Sequence, residues 1–442
     1  MGKKLTQVPK DEKELNEIFE MLYTDALTKY ENNESCNYTG LLEIISCEAN
    51  IVSSIHKIKS NHGSKTPGTD NEVINDILHK NYDEVIQTVK QRLTNYSPKS
   101  VRRKYIPKPG KKKLRPLGIP TISDRIVQQC VKNVIEPIAE GQFFKHSYGF
   151  RPMRSAEMAI FRIDKIAYIA KCNWVVEGDI KGFFDNVNHN VMIKCLWDLG
   201  VRDKRVLSII KEMLKAGVMN ECAKSELGTP QGGIISPLLA NIYLNKFDRF
   251  ITKQFERKEL KGNFNRDDSR INSIRKYTNI KTAYFVRYAD DWVIMTDNRE
   301  DAIKLKNKAK KYLNDVLKLE LSEEKTHITN MWKKPITFLG YQFRCTNLNG
   351  HRCVRKRPEQ SRLDHKMKEL KHEIFMLRKI NDKDKDRLVQ NIIRVNSIIV
   401  GIGNYYQYSE QINVVLRKYA WIMDYTGYKS LKKFGGKWIP AE

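Results

Sequence analysis

The sequence lacks the patterns that mark a secreted, membrane-spanning or zinc-binding protein. Its eight cysteines are scattered without a Cys-x-x-Cys pair, so neither a zinc cluster nor a disulfide framework is indicated. No apolar run approaches the roughly 20 residues that a membrane-spanning helix needs. The first residues, Met-Gly-Lys-Lys-Leu-Thr-Gln, lack the apolar stretch of a signal peptide. These absences predict a reduced, cytoplasmic protein with no membrane partner.

Acidic residues are also in short supply. The chain has 79 Lys and Arg against 52 Asp and Glu, which gives a formal net charge of +27 and a pI near 9.6. A chain this positive is expected to bind a polyanion, and nucleic acid is the first candidate, with an anionic membrane as the less supported alternative. Its 442 residues suffice for two or three domains and a substantial core.

The periodicity of apolar residues divides the chain into segments. Residues up to about 50 have helical spacing, and 61–70 is a loop rich in Gly, Pro and small polar residues. The remaining segments are an amphipathic helix near 77–93, a basic strand at 101–107, a polar surface insertion near 245–280, and Lys- and Arg-rich helices at 361–380 and 386–400. The basic helices are either a solvated surface or a nucleic-acid-facing bundle.

Two adjacent carboxylates, Asp290 and Asp291, lie between apolar runs at 283–286 and 292–295. Runs rich in β-branched and aromatic residues predict strands, so the two aspartates fall where one strand turns back on another. Burying two like charges there costs free energy unless a cation neutralises them. Because no Cys or His is nearby, their oxygen ligands favour a hard ion such as Mg²⁺. Taken alone, the pair is better explained as a solvated turn, since Asp is common in turns.

A second acidic element lies upstream, where the apolar run 174–176 predicts a strand that delivers Asp179 at its end. With Asp290 and Asp291, it supplies three carboxylates from two strands, as a two-metal site requires. In such a site one Mg²⁺ activates a 3′-hydroxyl and the other neutralises the triphosphate and the leaving pyrophosphate. The protein contributes positioning and charge stabilisation, and no protein nucleophile is needed.

Between these acidic elements, residues 228–244 form a Gly-rich turn that opens an apolar helix. Where side chains are absent, backbone can closely approach a base or a sugar. With the Tyr-Ala-Asp-Asp stretch at 288–291, this block resembles the palm of reverse transcriptases, and closely the group II intron-encoded reverse transcriptase/maturase family. Further blocks resemble that family in its own order. They are the fingers motif at 115–121, the fingers-to-palm block at 146–152, the lysine-bearing palm motif at 323–326, the primer grip at 338–341 and the thumb block at 401–406. Several short motifs in order are strong grounds for a family, although each alone is weak.

The resemblance implies an α+β fold, a right-hand polymerase with fingers, a palm built on an antiparallel sheet, and an α-helical thumb. The implied divisions are an N-terminal helical extension of the fingers at 1–95, fingers and palm at 96–345, and a thumb or maturase X domain at 346–442.

The resemblance also assigns the metal site and the sugar selection. Asp179 and Asp290 would ligate both ions and Asp291 would assist, with Ile180 included in the metal site. The ions are expected to be two Mg²⁺, with Mn²⁺ as a substitute. Phe184 stands at the family's steric gate, a bulky ring beneath C2′ that favours deoxynucleotides. The alternative is that Phe184 is simply an aromatic residue of the core.

Four further residues are expected at the nucleotide. Lys104 and Arg115 would hold the triphosphate, and Arg is better suited to forked phosphate contacts. Lys104 lies in a general basic run, and the alternative is that this run follows template phosphates. Gln231 would lie against the template–nucleotide pair. Lys325 is a candidate general acid toward pyrophosphate, with a solvated surface lysine as the alternative.

The primer contacts are expected at a short block in the palm. Phe338, Leu339, Gly340 and Tyr341 resemble the primer grip. The loop at 63–70 resembles the extension that non-retroviral enzymes place over the template, and a plain connection between helices explains it as well.

The implied function is RNA-directed DNA synthesis. The enzyme would extend a DNA or RNA primer with dNTPs on an RNA template, and would help its own group II intron RNA to splice by binding RNA shape and phosphates. No obligate protein partner is implied. The chain ends soon after the thumb, so target-DNA cleavage is not expected. A domesticated enzyme of phage defence or retroelement diversification and a catalytically silent splicing factor remain alternatives, although all three carboxylates are present.

Overall fold

The computed structural model describes residues 3–4, 8–107, 114–216, 228, 232–255, 264, 266–277, 282–381 and 383–435. The helices of these ranges are α1 Glu12–Glu31, α2 Leu41–Ile45, α3 Glu48–Ser60, α4 Ile74–Leu78, α5 Tyr82–Thr94, α6 Ile122–Glu140, α7 Ala156–Ile169, α8 His189–Asp198, α9 Lys204–Leu214, α10 Ser236–Phe255, α11 Asp267–Tyr277, α12 Arg299–Asp315, α13 Gln360–Met376, α14 Lys385–Tyr406 and α15 Ile412–Leu431. The strands are β1 Lys3–Lys4, β2 Tyr38–Thr39, β3 Arg102–Pro107, β4 Leu114–Ile119, β5 Trp174–Gly178, β6 Ala283–Tyr288, β7 Asp291–Thr296, β8 His327–Asn330, β9 Ile336–Phe338, β10 Tyr341–Leu348 and β11 His351–Pro358.

The chain up to residue 50 is mainly helical, as predicted, and this part packs on α6. Both α1 and α3 lie on α6, and the predicted strand at 101–107 is β3, which pairs antiparallel with β4. The helix predicted near 77–93 is two helices, α4 and α5. A new helix begins at 82 because the side chain of Asn81 accepts a hydrogen bond from the backbone N–H of Asp83 and caps it.

The palm is a four-stranded antiparallel sheet in the order β6-β7-β5-β8. Successive strand residues point to opposite faces, and here both faces are buried. Phe285 and Ile294 face the core shared with α10 and α12, whereas Tyr284 and Val293 face the core shared with α7. Burial on both sides explains why these strands read as nearly continuous apolar runs. The predicted α+β fold with an antiparallel palm sheet is confirmed.

The segment after the palm sheet packs on the α7 side. Strands β9, β10 and β11 form a second antiparallel sheet, and Tyr341 and Phe343 share a core with Leu363 of α13 and Ile402 of α14. The helices predicted at 361–380 and 386–400 correspond to α13 and α14. No helix in the described ranges is both long and apolar enough to cross a membrane.

The prediction of a polar surface insertion beginning near 245 is wrong for residues 245–255. These residues are the second half of α10, in which Phe247 and Ile251 lie in the core. Three of the polar residues, Asn245, Asp248 and Thr252, are buried as well, and Asp248 binds the buried Arg287. Part of the remaining segment, 266–277, carries α11, and residues 256–263 lie outside the described residues.

The ring of Phe247 joins α10 to the palm sheet. It is fully buried and packs edge-on against Phe285 and Trp292, with ring centroids 5.5 and 5.2 Å away. We expect Phe247→Ala to lower the free energy of unfolding by about 3–5 kcal/mol, because it removes a large buried side chain and leaves a cavity. Guanidinium denaturation measures this loss.

The matched control is Tyr277→Ala in α11, whose side chain is 80% exposed. It should change the unfolding free energy by less than about 0.5 kcal/mol. Equal effects of the two substitutions would show that residues 245–255 do not belong to the core.

Candidate active site

The two adjacent aspartates lie at a tight turn between β6 and β7. Tyr288 pairs with Asp291, so only Ala289 and Asp290 connect the strands. Ala289 has φ of +55°, the left-handed conformation that two-residue hairpins require. We call residues 288–291 the catalytic turn, after the role that we propose for them. Asp290 lies in the turn itself, and Asp291 begins β7.

Asp179 reaches the same end of the sheet from the neighbouring strand. Gly178, the last residue of β5, pairs with Trp292, so Asp179 follows beside the start of β7. Its backbone is fixed because its carbonyl accepts a hydrogen bond from Ser322 N–H at 2.9 Å. The next residue, Ile180, forms a bridge with Leu321 and its side chain is buried. The structure thus brings the three predicted carboxylates together from two segments.

The three carboxylates repel one another. The pKa of Asp291 is raised to about 6, first by partial desolvation and then by the negative charges of Asp290 and Asp179. Arg362 and Lys325 oppose this rise. An accumulation of negative charge around oxygen donors suits a hard divalent cation.

Lys325 binds one of these carboxylates directly. Its Nζ donates to Oδ2 of Asp179 at 2.7 Å, while much of its side chain remains exposed. It therefore lies beside the acidic site, in an ion pair that is open to solvent. Among the described side chains, no group of three or more His, Cys, Asp or Glu is already gathered as a metal cluster. The donor set fits Mg²⁺ once Lys325 releases Asp179, which would hold the ion together with Asp290 and Asp291.

A buried ion pair lies beneath the catalytic turn. Arg287 of β6 donates from Nε and Nη2 to the Asp248 carboxylate at 2.7 and 2.6 Å, and neither side chain is exposed. The Nη1 of Arg287 donates to the carbonyl of Ala289 at 2.7 Å and to Oδ1 of Asn241 at 2.9 Å. Burial raises the pKa of Asp248, and the Arg287 guanidinium opposes that shift. Arg287 therefore connects the catalytic turn to α10 by hydrogen bonds.

The block at 146–152 closes around the same turn. A Cβ at Gly149 would lie 2.4 Å from the backbone nitrogen of Ala289, so only glycine fits there. The carbonyl of Gly149 accepts a hydrogen bond from Nδ2 of Asn241 at 2.8 Å, and Tyr148 N–H donates to the carbonyl of Arg287 at 2.9 Å. The predicted fingers-to-palm block is thus part of the support of the catalytic turn.

Sequence reasoning missed this support. Two patterns could have found it: Arg287 stands inside an otherwise apolar strand, and Asn241 and Asp248 are seven residues apart on an apolar helix, hence on one face. A charge placed among core residues needs a partner, and two polar residues on the core face of a helix supply one.

The predicted steric gate, Phe184, follows Asp179 by five residues in the chain. Phe184 belongs to the short 3₁₀ helix Phe183–Asp185 and is partly buried against the core, whereas Phe183 is the fully packed core aromatic. The Gly-rich block approaches it, because Gly228 N–H donates to the carbonyl of Val187 at 2.9 Å. A Cβ at Gly228 would lie 3.5 Å from the carbonyl oxygen of Phe184.

The other predicted nucleotide contacts are described only in part. Lys104 is exposed in β3, opposite Leu117 of β4. Arg115 lies in β4 opposite Ile106, and its side chain is outside the described part. Gln231 also lies outside the described residues. The next residue, Gly232, has φ of +116°, and a Cβ there would lie 2.6 Å from the carbonyl oxygen of Gly118 in β4. The Gly-rich block and the 115–121 block are therefore neighbours.

The predicted primer grip is a second tight hairpin. Phe338 pairs with Tyr341, and the two connecting residues, Leu339 and Gly340, both have positive φ, 49° and 76°. Tyr341 donates its hydroxyl to the carbonyl of Tyr405 in α14, which lies in the predicted thumb block 401–406.

Arg362 of α13 links this hairpin to the acidic site. A Cβ at Gly340 would lie 2.9 Å from Nη1 of Arg362. The positive charge of Arg362 opposes the rise in the pKa of Asp291. Sequence analysis placed Arg362 only among the basic residues of a helix face.

The loop predicted at 61–70 lies against the 115–121 block. It contains a short 3₁₀ turn, His62–Lys65, and Arg125 donates to the carbonyls of Gly63 and Thr66 at 3.0 and 2.7 Å. A Cβ at Gly68 would lie 2.6 Å from the Cα of Thr121. The loop is therefore held against the fingers by specific contacts.

The buried pair under the turn yields a stability prediction. We expect Arg287→Met to lower the unfolding free energy by about 3–5 kcal/mol, because it leaves Asp248 buried without its partner. The double variant Arg287→Met/Asp248→Leu should recover part of that loss, since no uncompensated charge remains. Guanidinium denaturation of the two variants makes the comparison. A single variant within about 0.5 kcal/mol of the wild type would contradict this role.

Comparison with known proteins agrees with this geometry. The family described as "Reverse transcriptase (RNA-dependent DNA polymerase)" matches residues 106–343. The group II intron-encoded protein LtrA of Lactococcus lactis subsp. cremoris is 32% identical over 431 residues, covering 84% of this chain and 71% of that protein. YkfC of Escherichia coli is 35% identical over 319 residues, covering 67% of this chain and 78% of that protein. A putative COX1/OXI3 intron 2 protein of Saccharomyces cerevisiae is 27% identical, covering 80% of this chain and 44% of that protein. The chain belongs to the reverse transcriptase family, among the group II intron-encoded reverse transcriptases and maturases.

Proposed function

We propose that this chain is an active RNA-directed DNA polymerase that adds dNTPs to a primer 3′-end on an RNA template. The observation that carries the proposal is the meeting of Asp179, Asp290 and Asp291 at one end of the palm sheet. Desolvation, and after it the charges of Asp290 and Asp179, raises the pKa of Asp291 to about 6. A site that only binds RNA phosphates gains nothing from three clustered carboxylates, because they repel the phosphates.

Each part of the site has a task in this reaction. Asp179, Asp290 and Asp291 would hold two Mg²⁺ ions, or Mn²⁺ in their place, and bound ions supply the positive charge that phosphoryl transfer needs. Members of the family generally use divalent metal ions. Lys325, whose Nζ lies 2.7 Å from Oδ2 of Asp179, is proposed to act as a general acid toward the leaving pyrophosphate. Lys104, Arg115 and Gln231 are proposed to hold the incoming nucleotide and its template base.

The thumb and the primer-grip hairpin complete the binding surface. Phe338 to Tyr341 are proposed to hold the primer end, and α14 fixes that hairpin through Tyr405. We propose three divisions: an N-terminal helical extension of the fingers at 1–95, fingers and palm at 96–345, and a thumb or maturase X domain at 346–442. The loop at 63–70, fixed to the 115–121 block, is proposed to lie over the template.

We further propose that the protein assists splicing of a group II intron RNA. The basis is the similarity to intron-encoded proteins together with the net charge of +27. Exposed cations of the thumb, such as Lys368, Lys371 and Arg378, are suited to RNA phosphates. The alternatives are a catalytically silent splicing factor and an enzyme repurposed for phage defence. A comparison of primer extension with splicing distinguishes both from an active maturase.

The experiment compares primer extension and intron splicing in one preparation. Asp290→Asn should abolish extension of a primer on an RNA template, because it removes a metal-binding charge. RNA affinity and splicing should persist, because the phosphate contacts lie elsewhere. The matched control is Asp297→Asn, which changes an exposed aspartate at the opposite end of β7 and should leave extension intact.

The outcomes are distinct. Extension that survives Asp290→Asn would defeat the polymerase assignment. Extension without splicing in the wild type would favour a repurposed enzyme, and splicing without extension would favour the silent factor.

Phe184 provides a test of sugar selection. Phe184→Ala should raise incorporation of ribonucleotides relative to deoxynucleotides, because the ring no longer excludes a 2′-hydroxyl. The control is Phe183→Leu, which alters the neighbouring core ring and should lower stability without changing sugar preference. Competition between NTPs and dNTPs in primer extension measures the ratio, and an unchanged ratio in Phe184→Ala would remove the gate role.

A further inference from the structure

Phe150 combines a strained backbone conformation with an exposed aromatic ring, and both are energetically unfavourable. Its φ is +59°, in the left-handed region that bulky side chains rarely adopt, and its ring is 55% exposed. A strained backbone of this kind persists only where the surrounding structure enforces it, and such positions cluster at functional sites. Two of the other non-glycine residues with positive φ, Ala289 and Leu339, lie in the catalytic turn and the primer-grip hairpin.

The residues on both sides of Phe150 are fixed. Gly149 is held against Ala289, and its carbonyl accepts the hydrogen bond from Asn241. On the other side, Arg151 donates from Nε and Nη2 to the Glu140 carboxylate. Its Nη1 donates to the carbonyls of Phe144 and Ser147 at 2.8 and 2.7 Å. The ring of Phe150 is thus held at the surface, one residue from the backbone contact with the catalytic turn.

We propose that Phe150 contacts the primer–template duplex beside the catalytic turn, with its ring packed against a base or a sugar. This inference rests on the proposed function, because a polymerase must bring the primer end to that turn. Aromatic rings bind nucleic acid by stacking, which is tolerant of sequence since every base has an apolar face. A ring held at the surface by anchored neighbours binds without a large loss of side-chain freedom.

The chain offers a matched control three residues away. Met153 has φ of +54° and is 94% exposed, so it shares both the backbone strain and the exposure. Its side chain lines a different surface, the cavity bordered by Tyr23 of α1 and Lys253 of α10. The pair therefore separates the effect of the ring from the effect of a strained residue in this segment.

The experiment measures the affinity of the full chain for a fluorescent primer annealed to an RNA template, together with the melting temperature. Phe150→Gly removes the ring and relieves the backbone, so the melting temperature should stay equal or rise. The Kd for primer–template should rise about tenfold, as expected for one lost stacking contact. Phe150→Tyr should retain wild-type affinity, and Met153→Gly should leave affinity unchanged.

Two results would overturn the proposal: wild-type affinity in Phe150→Gly, or an equal loss of affinity in Met153→Gly. A loss in Phe150→Gly accompanied by a lowered melting temperature and no rescue by Phe150→Tyr would also overturn it, because the residue would then be structural. The proposed function is judged separately, by whether the wild type extends the same primer. A protein that binds primer–template through Phe150 but adds no dNTP would retain this contact and refute the polymerase assignment.

Discussion

Three carboxylates are held at one end of the palm sheet against their mutual repulsion, and the rest of the site is organised around that constraint. Asp179 enters from β5, and Asp290 and Asp291 come from the β6–β7 hairpin. Two cations moderate the repulsion: Lys325 binds Asp179, and Arg362 of α13 lowers the pKa of Asp291. Because the ion pair between Lys325 and Asp179 is partly exposed, a divalent cation can replace Lys325 at the Asp179 carboxylate.

The turn keeps its shape because of a polar network inside the core. Arg287 joins the carbonyl of Ala289 to Asp248 and Asn241 of α10, and Asn241 in turn holds Gly149. A buried ion pair contributes little net stability compared with apolar packing, so its retention is better explained by the geometry it imposes. The network connects α10, the fingers-to-palm block at 146–152 and the catalytic turn in one set of contacts.

The sequence predicted those elements whose apolar residues are also the residues buried in the fold. Apolar runs marked β5, β6 and β7, and the strand ends placed Asp179 and Asp290 correctly. It failed where polar residues are buried: Asn245, Asp248 and Thr252 suggested a surface insertion, although they are buried in α10. Composition cannot distinguish a solvated aspartate from one paired with a buried arginine 39 residues away. The nearness of Arg362 to Asp291 and the pairing of Lys325 with Asp179 depend on tertiary packing in the same way.

The central claim is that the carboxylates form a divalent-metal site for nucleotide addition. Anomalous diffraction from crystals soaked with Mn²⁺, primer–template and a non-hydrolysable dNTP tests it most directly. The account predicts Mn²⁺ peaks at the oxygens of Asp179 and Asp290, with Nζ of Lys325 displaced from Asp179. A site without anomalous signal, with the bond between Lys325 and Asp179 intact beside a bound nucleotide, would contradict it.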